Sequence, residues 1–285
     1  MRMIRRQMQP EWFLITQDDH ARLAGELAAH VGNQLFDKPE APESFVKAVA
    51  MHDCGWPLHD DEPTLNGAGE PMDVFETTPE IGLKVWAASA ERALAADERS
   101  GLLVSLHSLA LSVQATSGAT IGAAQKHRSF DMTNPTHRFD VNKFQHRQVE
   151  LQESLRKRLG LAADLPLRQG LAIESELPAE QQIVFQFRLL QAMDSLSLAI
   201  CCTKPPVGQI RPVLARPGGR ALSLRVRRDD QVVLVSPWPF DVEEIRLELP
   251  YRRMEATQFE SIQAFRATYA AAKVGTMSVM VAARR

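Results

Sequence analysis

The chain has 285 residues, of which 45% are hydrophobic and 24% charged, and its 33 Lys and Arg against 35 Asp and Glu leave a formal net charge of −2. This composition is typical of a water-soluble globular protein, and it excludes a disordered or fibrous chain. The near-neutral charge provides no field that would attract nucleic acid or an anionic membrane, so neither is expected as a partner.

The first sixteen residues are predicted to be extended. Met3-Ile4 and the stretch from Trp12 to Ile15 flank a Gln-Pro step that can turn a short hairpin. This N-terminal segment, residues 1–16, is a candidate to join a sheet formed later in the chain.

From Thr16 onward the apolar residues follow a helical period. Thr16 is a suitable N-cap, and Asp18 and Asp19 lie in the first turn, where negative charge is favourable. Helices are predicted over residues 16–31, 42–53, 79–96, 99–114, 138–159 and 178–202, with irregular segments over 55–78 and 115–137. The last of these helices is very apolar, so we expect it at the centre of the protein.

Beyond Pro205-Pro206 the apolar period falls from that of a helix to that of a strand. A hairpin is predicted around Asp229-Asp230, and further elements are a strand over 244–255, a helix over 259–273 and a strand over 276–282. The fold class predicted from these elements is mainly α. It comprises a helical domain over 17–203 and a small α+β region with antiparallel strands over 207–285 packed on it.

The cysteine content and the lengths of the apolar segments predict the cellular compartment of the protein. Cys54, Cys201 and Cys202 are too few and too badly spaced for a disulfide framework or a Cys-x-x-Cys zinc site. No segment has the roughly 18 continuous apolar residues of a membrane span, and the apolar stretch near the N-terminus is too short for a signal peptide. We therefore expect a cytoplasmic protein.

Five polar side chains lie where the helical pattern calls for apolar ones: His20, His52, Asp53, His107 and Asp194. Asp194 is the clearest case, because in FQFRLLQAMDSLSLAICC it shares a helix face with phenylalanine and leucine. A buried ionised carboxylate is costly unless a cation or strong donors compensate it. Imidazoles and carboxylates together bind divalent ions such as Mn, Fe, Co, Ni, Zn or Mg, so a metal is the natural compensation. A hydrogen-bonded network without metal is the alternative.

The segments QDDHARLAGELA, MHDCGW, LLVSLHSLAL and QAMDSLSLAICC resemble the HD-domain superfamily of helical metal-dependent phosphohydrolases, in particular a bacterial branch of unknown function. Ligands in that superfamily follow the order His, His-Asp, Asp on separate helices. The resemblance covers nearly the whole chain and implies an HD-domain-like helical bundle. It implies that His20, His52, Asp53 and Asp194 bind the metal, and that His107 sits where some members place an extra histidine for a second metal or for phosphate.

The chain departs from that superfamily at one position. Many phosphodiesterase-type members follow His-Asp-x-Gly with a lysine that contacts the substrate phosphate, whereas Trp56 follows Gly55 here. Lys126 and Arg128 would supply positive charge if their irregular segment folds over the site, and a solvated surface loop is the alternative. His59 is a candidate for the pocket mouth, against an exposed polar loop, and Trp56 for ligand stacking, against packing.

Three functions are compatible with these residues. The first is a metal-dependent phosphohydrolase of phosphomonoesters, phosphodiesters or nucleotides, in which Asp53 orients the attacking water and His107 stabilises charge or protonates the leaving group. The second is a catalytically silent binding or regulatory module for a phosphorylated or anionic small molecule, which Trp56 motivates. The third is a di-iron oxygenase with His107 as a further ligand.

Overall fold

The computed structural model describes residues 3–57, 62–117, 130–161, 178–203 and 208–284. Its strands are β1 (Ile4–Met8), β2 (Glu11–Ile15), β3 (Gln209–Leu214), β4 (Ala221–Asp229), β5 (Val232–Ser236), β6 (Glu244–Glu255) and β7 (Val274–Ala283). Its helices are α1 (Gln17–Ala28), α2 (Pro42–Ala50), α3 (Pro79–Ala96), α4 (Glu98–Ser117), α5 (Pro135–Arg158), α6 (Pro178–Cys201) and α7 (Ile262–Ala271). The helices predicted before residue 203 are present, with ends that differ by a few residues.

The strands of the described ranges form one seven-stranded sheet in the order β1-β2-β6-β7-β5-β4-β3. Neighbouring strands are antiparallel except β5 and β7, which pair in parallel from Val232↔Met280 to Val235↔Ala283. The sheet is large, mixed and curled, and 49% of the described residues are helical. The prediction of a mainly α, HD-domain-like bundle with a small antiparallel β region was therefore wrong, because the fold is α+β.

The predicted N-terminal hairpin is present and joins the sheet, but its neighbour in the sheet and the edge strand β3 were not predicted from the sequence. Strand β3 contains Pro212, which cannot donate to a strand ladder, and it lies at the edge of the sheet with a register shift between Ile210 and Val213. The N-terminal hairpin pairs through β2 with β6, from Glu11↔Glu255 to Leu14↔Arg252. These two strands come from opposite ends of the chain, so no local period reveals that they are neighbours.

The helices before residue 203 share one hydrophobic core with the sheet, and α6 is its central element. Helix α6 contacts α1, α2, α4, β3 and β4, and its residues from Ile183 to Cys201 are all buried. By length and composition this is the one helix of the described residues that is apolar enough to cross a membrane. Its apolar window is entirely buried inside the protein, which is also the property of a core helix.

Two arginines from the sheet hold the C-terminal end of α6. Nη1 of Arg6 in β1 donates to the carbonyl oxygen of Ile200 at 2.9 Å, and Nη1 of Arg228 in β4 donates to that of Ala199 at 3.0 Å. Carbonyls in the last helical turn lack intrahelical partners and carry the negative end of the helix dipole, so guanidinium donors suit them. The sheet thereby fixes the position of the helix that carries Asp194.

The opposite face of the sheet carries a smaller core. Trp12, Leu14 and Met254 pack there against Phe265 and Tyr269, two residues at α7. Because successive strand residues point to opposite faces, the residue that follows Leu14 in β2 packs in the main core instead. Thus β2 connects the two cores and leads directly into α1.

Candidate metal centre

Four segments of the helical layer bring the predicted polar side chains together. His20 comes from α1, His52 and Asp53 from the turn after α2, His107 from α4 and Asp194 from α6. All five are buried, with 1% to 7% of each residue exposed. The structure therefore places in one cluster the five polar groups that interrupt the apolar stripes.

The carboxylate of Asp194 lies at the centre of the cluster. Its Oδ1 is 3.0 Å from Nε2 of His20 and 3.5 Å from Nε2 of His52, and its Oδ2 is 3.7 Å from Nε2 of His107. Nε2 of His52 is also 3.6 Å from Oδ2 of Asp53. One carboxylate thus faces three imidazoles, and the second carboxylate adjoins the middle imidazole.

The Nδ1 atoms of two of these imidazoles are already committed to other groups. Nδ1 of His52 lies 2.7 Å from the carbonyl oxygen of Val49, which can only accept, so this nitrogen donates. Nδ1 of His20 lies 2.8 Å from Oγ of Ser197, whose hydroxyl donates at 2.8 Å to the carbonyl oxygen of His20. Because the serine has one proton, its oxygen accepts from Nδ1 of His20.

In their neutral forms, His20 and His52 therefore point the bare lone pair of Nε2 at carboxylate oxygens. Nε2 of His52 is buried and has no hydrogen-bond partner among the residues that the structure describes. A lone pair facing an anion is repulsive unless protons or a metal ion lie between them. Backbone and side-chain acceptors on the other ring nitrogen are the usual support of a metal-binding histidine.

Two overlapping groups in the cluster can hold a metal ion. One comprises His20, His52 and Asp53, and the other comprises His52, His107 and Asp194. Within each group the ligand atoms lie within 4.8 Å of one another. His52 belongs to both groups, so its unpartnered Nε2 lies at the point where they meet.

The electrostatics of the cluster favour positive charge at its centre. Burial lowers the pKa of His52, but the carboxylates of Asp53 and Asp194 outweigh it and raise that pKa to about 9. Burial would raise the pKa of Asp194, yet the imidazoles of His20, His52 and His107 hold it well below its usual range. The pKa of Asp53 is raised, chiefly by burial and against the opposing influence of His52 and His20.

Two glycines allow close packing of the helices and the turn that carry the cluster. A Cβ atom at Gly25 of α1 would lie 2.6 Å from Cβ of Ala50 at the end of α2. A Cβ atom at Gly55 would lie 2.1 Å from the carbonyl oxygen of Val85 in α3, and the backbone nitrogen of Gly55 donates to Oγ of Ser89 at 2.9 Å. These contacts set the spacing of α1, the turn after α2, and α3.

The cluster borders a cavity of about 30 Å³. Its described lining consists of the polar residues Gln17, His20, Asp53, His107 and Asp194 and the apolar or aromatic residues Trp56, Val74, Phe75, Trp86, Leu111 and Leu198. A cavity of roughly 10–15 Å³ is large enough to hold one water molecule. The space therefore fits a metal ion with a water molecule, and only the reacting end of a larger ligand.

The other predicted site residues have different positions. Trp56 is 1% exposed and lines the cavity, with its indole N–H beside the Asp53 carboxylate. His59, Lys126 and Arg128 lie outside the described residues, so their proposed place at the pocket mouth stays a prediction.

Sequence reasoning missed two polar residues at the site. Gln17 lines the cavity, and Ser197 bonds to His20. Gln17 lies three residues before His20, and Ser197 lies three residues after Asp194. A spacing of three residues places side chains on the same helix face, so this signal was available.

A known protein family matches residues 3–256, and its description is "Protein of unknown function (DUF3891)". The chain belongs to this family. The matched range includes the N-terminal hairpin, all five polar residues of the cluster and most of the sheet. Comparisons with curated proteins and with solved structures found no match.

Ser197 of this DUF3891 chain offers a test of the hydrogen bond that orients His20. In Ser197→Ala, Nδ1 of His20 loses its acceptor, and we expect metal affinity to fall by about 10- to 100-fold, as is typical for loss of such a supporting partner. Competition with a metal-sensitive dye measures the dissociation constant. Ser112→Ala is the matched control, because this buried serine of α4 bonds instead to the carbonyl oxygen of Leu109. Equal metal affinity in both variants would contradict the role of Ser197.

Proposed function

We propose that the protein is a metal-dependent hydrolase of phosphoesters. The ion would be held by His20, His52, Asp53 and Asp194, with His107 as a further ligand or as a contact to phosphate. The observation that carries the proposal is the buried convergence of imidazole and carboxylate groups around the unpartnered Nε2 of His52. The order His, His-Asp, Asp along the chain supports a relationship to the HD-domain superfamily, which is part of the same proposal.

The donor set favours particular ions. Three imidazoles and two carboxylates suit Mn, Fe, Co, Ni or Zn, whereas Mg prefers a site made mainly of oxygen atoms. A ligating imidazole must be neutral, and because Nδ1 of His20 and His52 already donates, Nε2 is the atom of each neutral ring that is free to bind an ion. A transition-metal ion therefore fits these residues better than magnesium.

The residues around the ion have separable roles in this proposal. A bound divalent ion lowers the pKa of a water molecule toward neutrality and polarises a phosphoryl oxygen. Asp53 accepts a hydrogen bond from the attacking water and orients it, and His107 donates to the leaving oxygen or to the developing charge. The buried indole rings of Trp56 and Trp86 exclude bulk water from this end of the site.

The test begins with protein purified without chelator or affinity nickel. Elemental analysis gives the metal content, and the protein reloaded separately with Mn, Fe, Co, Ni or Zn is assayed with aryl phosphate monoesters and diesters. We expect a bound ion and metal-dependent turnover. No turnover with any of the five ions, alongside an active HD-domain hydrolase as control, would contradict the hydrolase.

A second candidate is a catalytically silent module that binds an anionic small molecule. The observation that favours the absence of catalysis is the cavity lining, in which the described residues include no lysine or arginine and Trp56 stands where a lysine is expected. A ligand that raises the melting temperature and is recovered unchanged would favour this module over the hydrolase.

A di-iron oxygenase is a third candidate, because the structure brings His107 into the cluster with the other two imidazoles. It requires iron in the purified protein and a spectral change with oxygen after anaerobic reconstitution. Absence of iron in the same elemental analysis would exclude the oxygenase, and where iron is present the oxygen-dependent spectral change separates it from an iron-dependent hydrolase.

A further inference from the structure

We infer that Gln17 binds an oxygen atom of the ligand at the metal centre by donating a hydrogen bond from its side-chain Nε2. The inference rests on the proposed function, because it assigns a contact to the ligand of the same site. Gln17 is the first residue of α1, 2% of it is exposed, and it lines the cavity beside His20, Asp53 and Asp194.

The unpartnered amide of Gln17 carries the argument. Nε2 of Gln17 is buried, and it has no hydrogen-bond partner within the described part of the chain. A buried donor without a partner has given up its hydrogen bonds to water and gained none in return, so such donors in folded proteins normally meet a ligand or an ordered water. Gln17 lines the cavity that adjoins the metal cluster, and an oxygen atom of a ligand bound there would satisfy this donor.

The position of Gln17 is imposed by the start of α1. Thr16 is the N-cap, and its Oγ1 accepts from the backbone nitrogen of Asp19 at 3.0 Å. This cap starts the helix at Gln17 and places Gln17 and His20 on the same face, three residues apart. The capped turn therefore presents a metal ligand and a neutral donor to the same cavity.

The chemistry of the cavity indicates what the donor recognises. The carboxylates of Asp53 and Asp194 and the neutral imidazole of His20, which line the cavity, are acceptors, so they suit a cation. A neutral amide N–H suits the oxygen atoms bound to that cation, whether of water or of an oxyanion such as phosphate. The indole N–H of Trp56 lies beside the Asp53 carboxylate without completing a well-formed hydrogen bond, which makes it a second donor next to the same space.

The experiment measures the binding of inorganic phosphate to metal-loaded protein by calorimetry, so it requires no turnover. Gln17→Met keeps the length of the side chain but removes the donor, and Gln17→Glu replaces the amide with a carboxylate that repels an anion. The matched control is Gln114→Met, since Gln114 is also a buried glutamine but is not part of the cavity lining. Circular dichroism and the melting temperature check that each variant folds.

We expect all three variants to keep the metal at wild-type stoichiometry. Phosphate should bind about tenfold more weakly to Gln17→Met, because a hydrogen bond to a charged group contributes about 1.5 kcal/mol or more. It should bind more weakly still to Gln17→Glu and equally well to Gln114→Met. The conservative pair of substitutions at position 17 keeps the test decisive if one of them fails to fold.

Two kinds of result would overturn the inference, and they are distinguishable. Wild-type protein that takes up no metal overturns the proposed function and the inference with it. Metal-loaded wild type that binds no phosphate, or binds it no better than Gln17→Met does, overturns the inference alone. Loss of metal from a folded Gln17→Met variant also overturns it, because Gln17 would then support the metal rather than the ligand.

Discussion

The Asp194→Asn protein is expected to lose its metal, with affinity reduced by two orders of magnitude or more. Asparagine has the size of aspartate, so the packing of α6 is kept, but it removes the anion that faces His20, His52 and His107. Three imidazoles without this carboxylate present less negative charge to a cation. Elemental analysis of the purified proteins and dye competition measure the effect.

The stability of the same proteins gives a second measurement. An ion at a thousandfold excess over its dissociation constant stabilises a folded protein by about 4 kcal/mol, which corresponds to roughly 8 °C in a protein of this size at about 2 °C per kcal/mol. Chelator should lower the melting temperature of wild type by this amount and leave that of Asp194→Asn unchanged.

Asp97→Asn is the control for this substitution. Asp97 accepts a hydrogen bond from the backbone nitrogen of Ser100 at the start of α4, and asparagine can do the same. This variant should keep wild-type metal content and the same response to chelator. Stoichiometric metal in Asp194→Asn would contradict the central place of this carboxylate.

Gly55→Ala is expected to destabilise the protein by about 3 kcal/mol and to weaken metal binding. Its Cβ atom would lie 2.1 Å from the carbonyl oxygen of Val85 and 2.8 Å from the backbone nitrogen of Ser89. Backbone atoms of a helix cannot yield as a flexible side chain can, so the turn must move away from α3. Overpacking of this kind typically costs 1–3 kcal/mol, occasionally more. The turn carries His52 and Asp53, so its displacement also separates ligand atoms.

Urea unfolding measures the free energy of unfolding for Gly55→Ala, and metal analysis measures the effect on the site. Gly67→Ala is the control, because a Cβ atom at Gly67 would meet no atom within 4 Å. We expect this control to stay within about 1 kcal/mol of wild type. Wild-type stability and metal content in Gly55→Ala would show that the turn is not held by its contact with α3.

The candidate site was largely accessible from the sequence because helical periodicity is a local property. His20, His107 and Asp194 interrupt apolar stripes of the kind that bury a helix face, and a polar group in such a place needs a partner. The same spacing would have pointed to Gln17 and Ser197. The separate roles of these two residues could not be predicted from the sequence. The hydroxyl of Ser197 in α6 bonds to His20 in α1, and these two helices are far apart along the chain.

The fold class could not be predicted from local periodicity. Strand β3 has a weak local signal because it contains Pro212, and the N-terminal hairpin was predicted without its neighbour in the sheet, which is β6. Parallel pairing of β5 and β7 likewise joins segments with β6 and α7 between them. Strand order is decided by contacts between distant segments, which no local period records.

The amino-acid sequence by itself determined where the helices lie, which faces of them are apolar, and which five polar groups must find partners inside. Only the tertiary structure decided that these groups share one carboxylate, Asp194, and that Nε2 of His52 is left without a partner in the described part of the chain. The physical reason is that periodicity and burial are set by neighbours along the chain. The candidate ligand atoms come from three helices and the turn after α2, which are held together by the core, the sheet and the close approaches at Gly25 and Gly55.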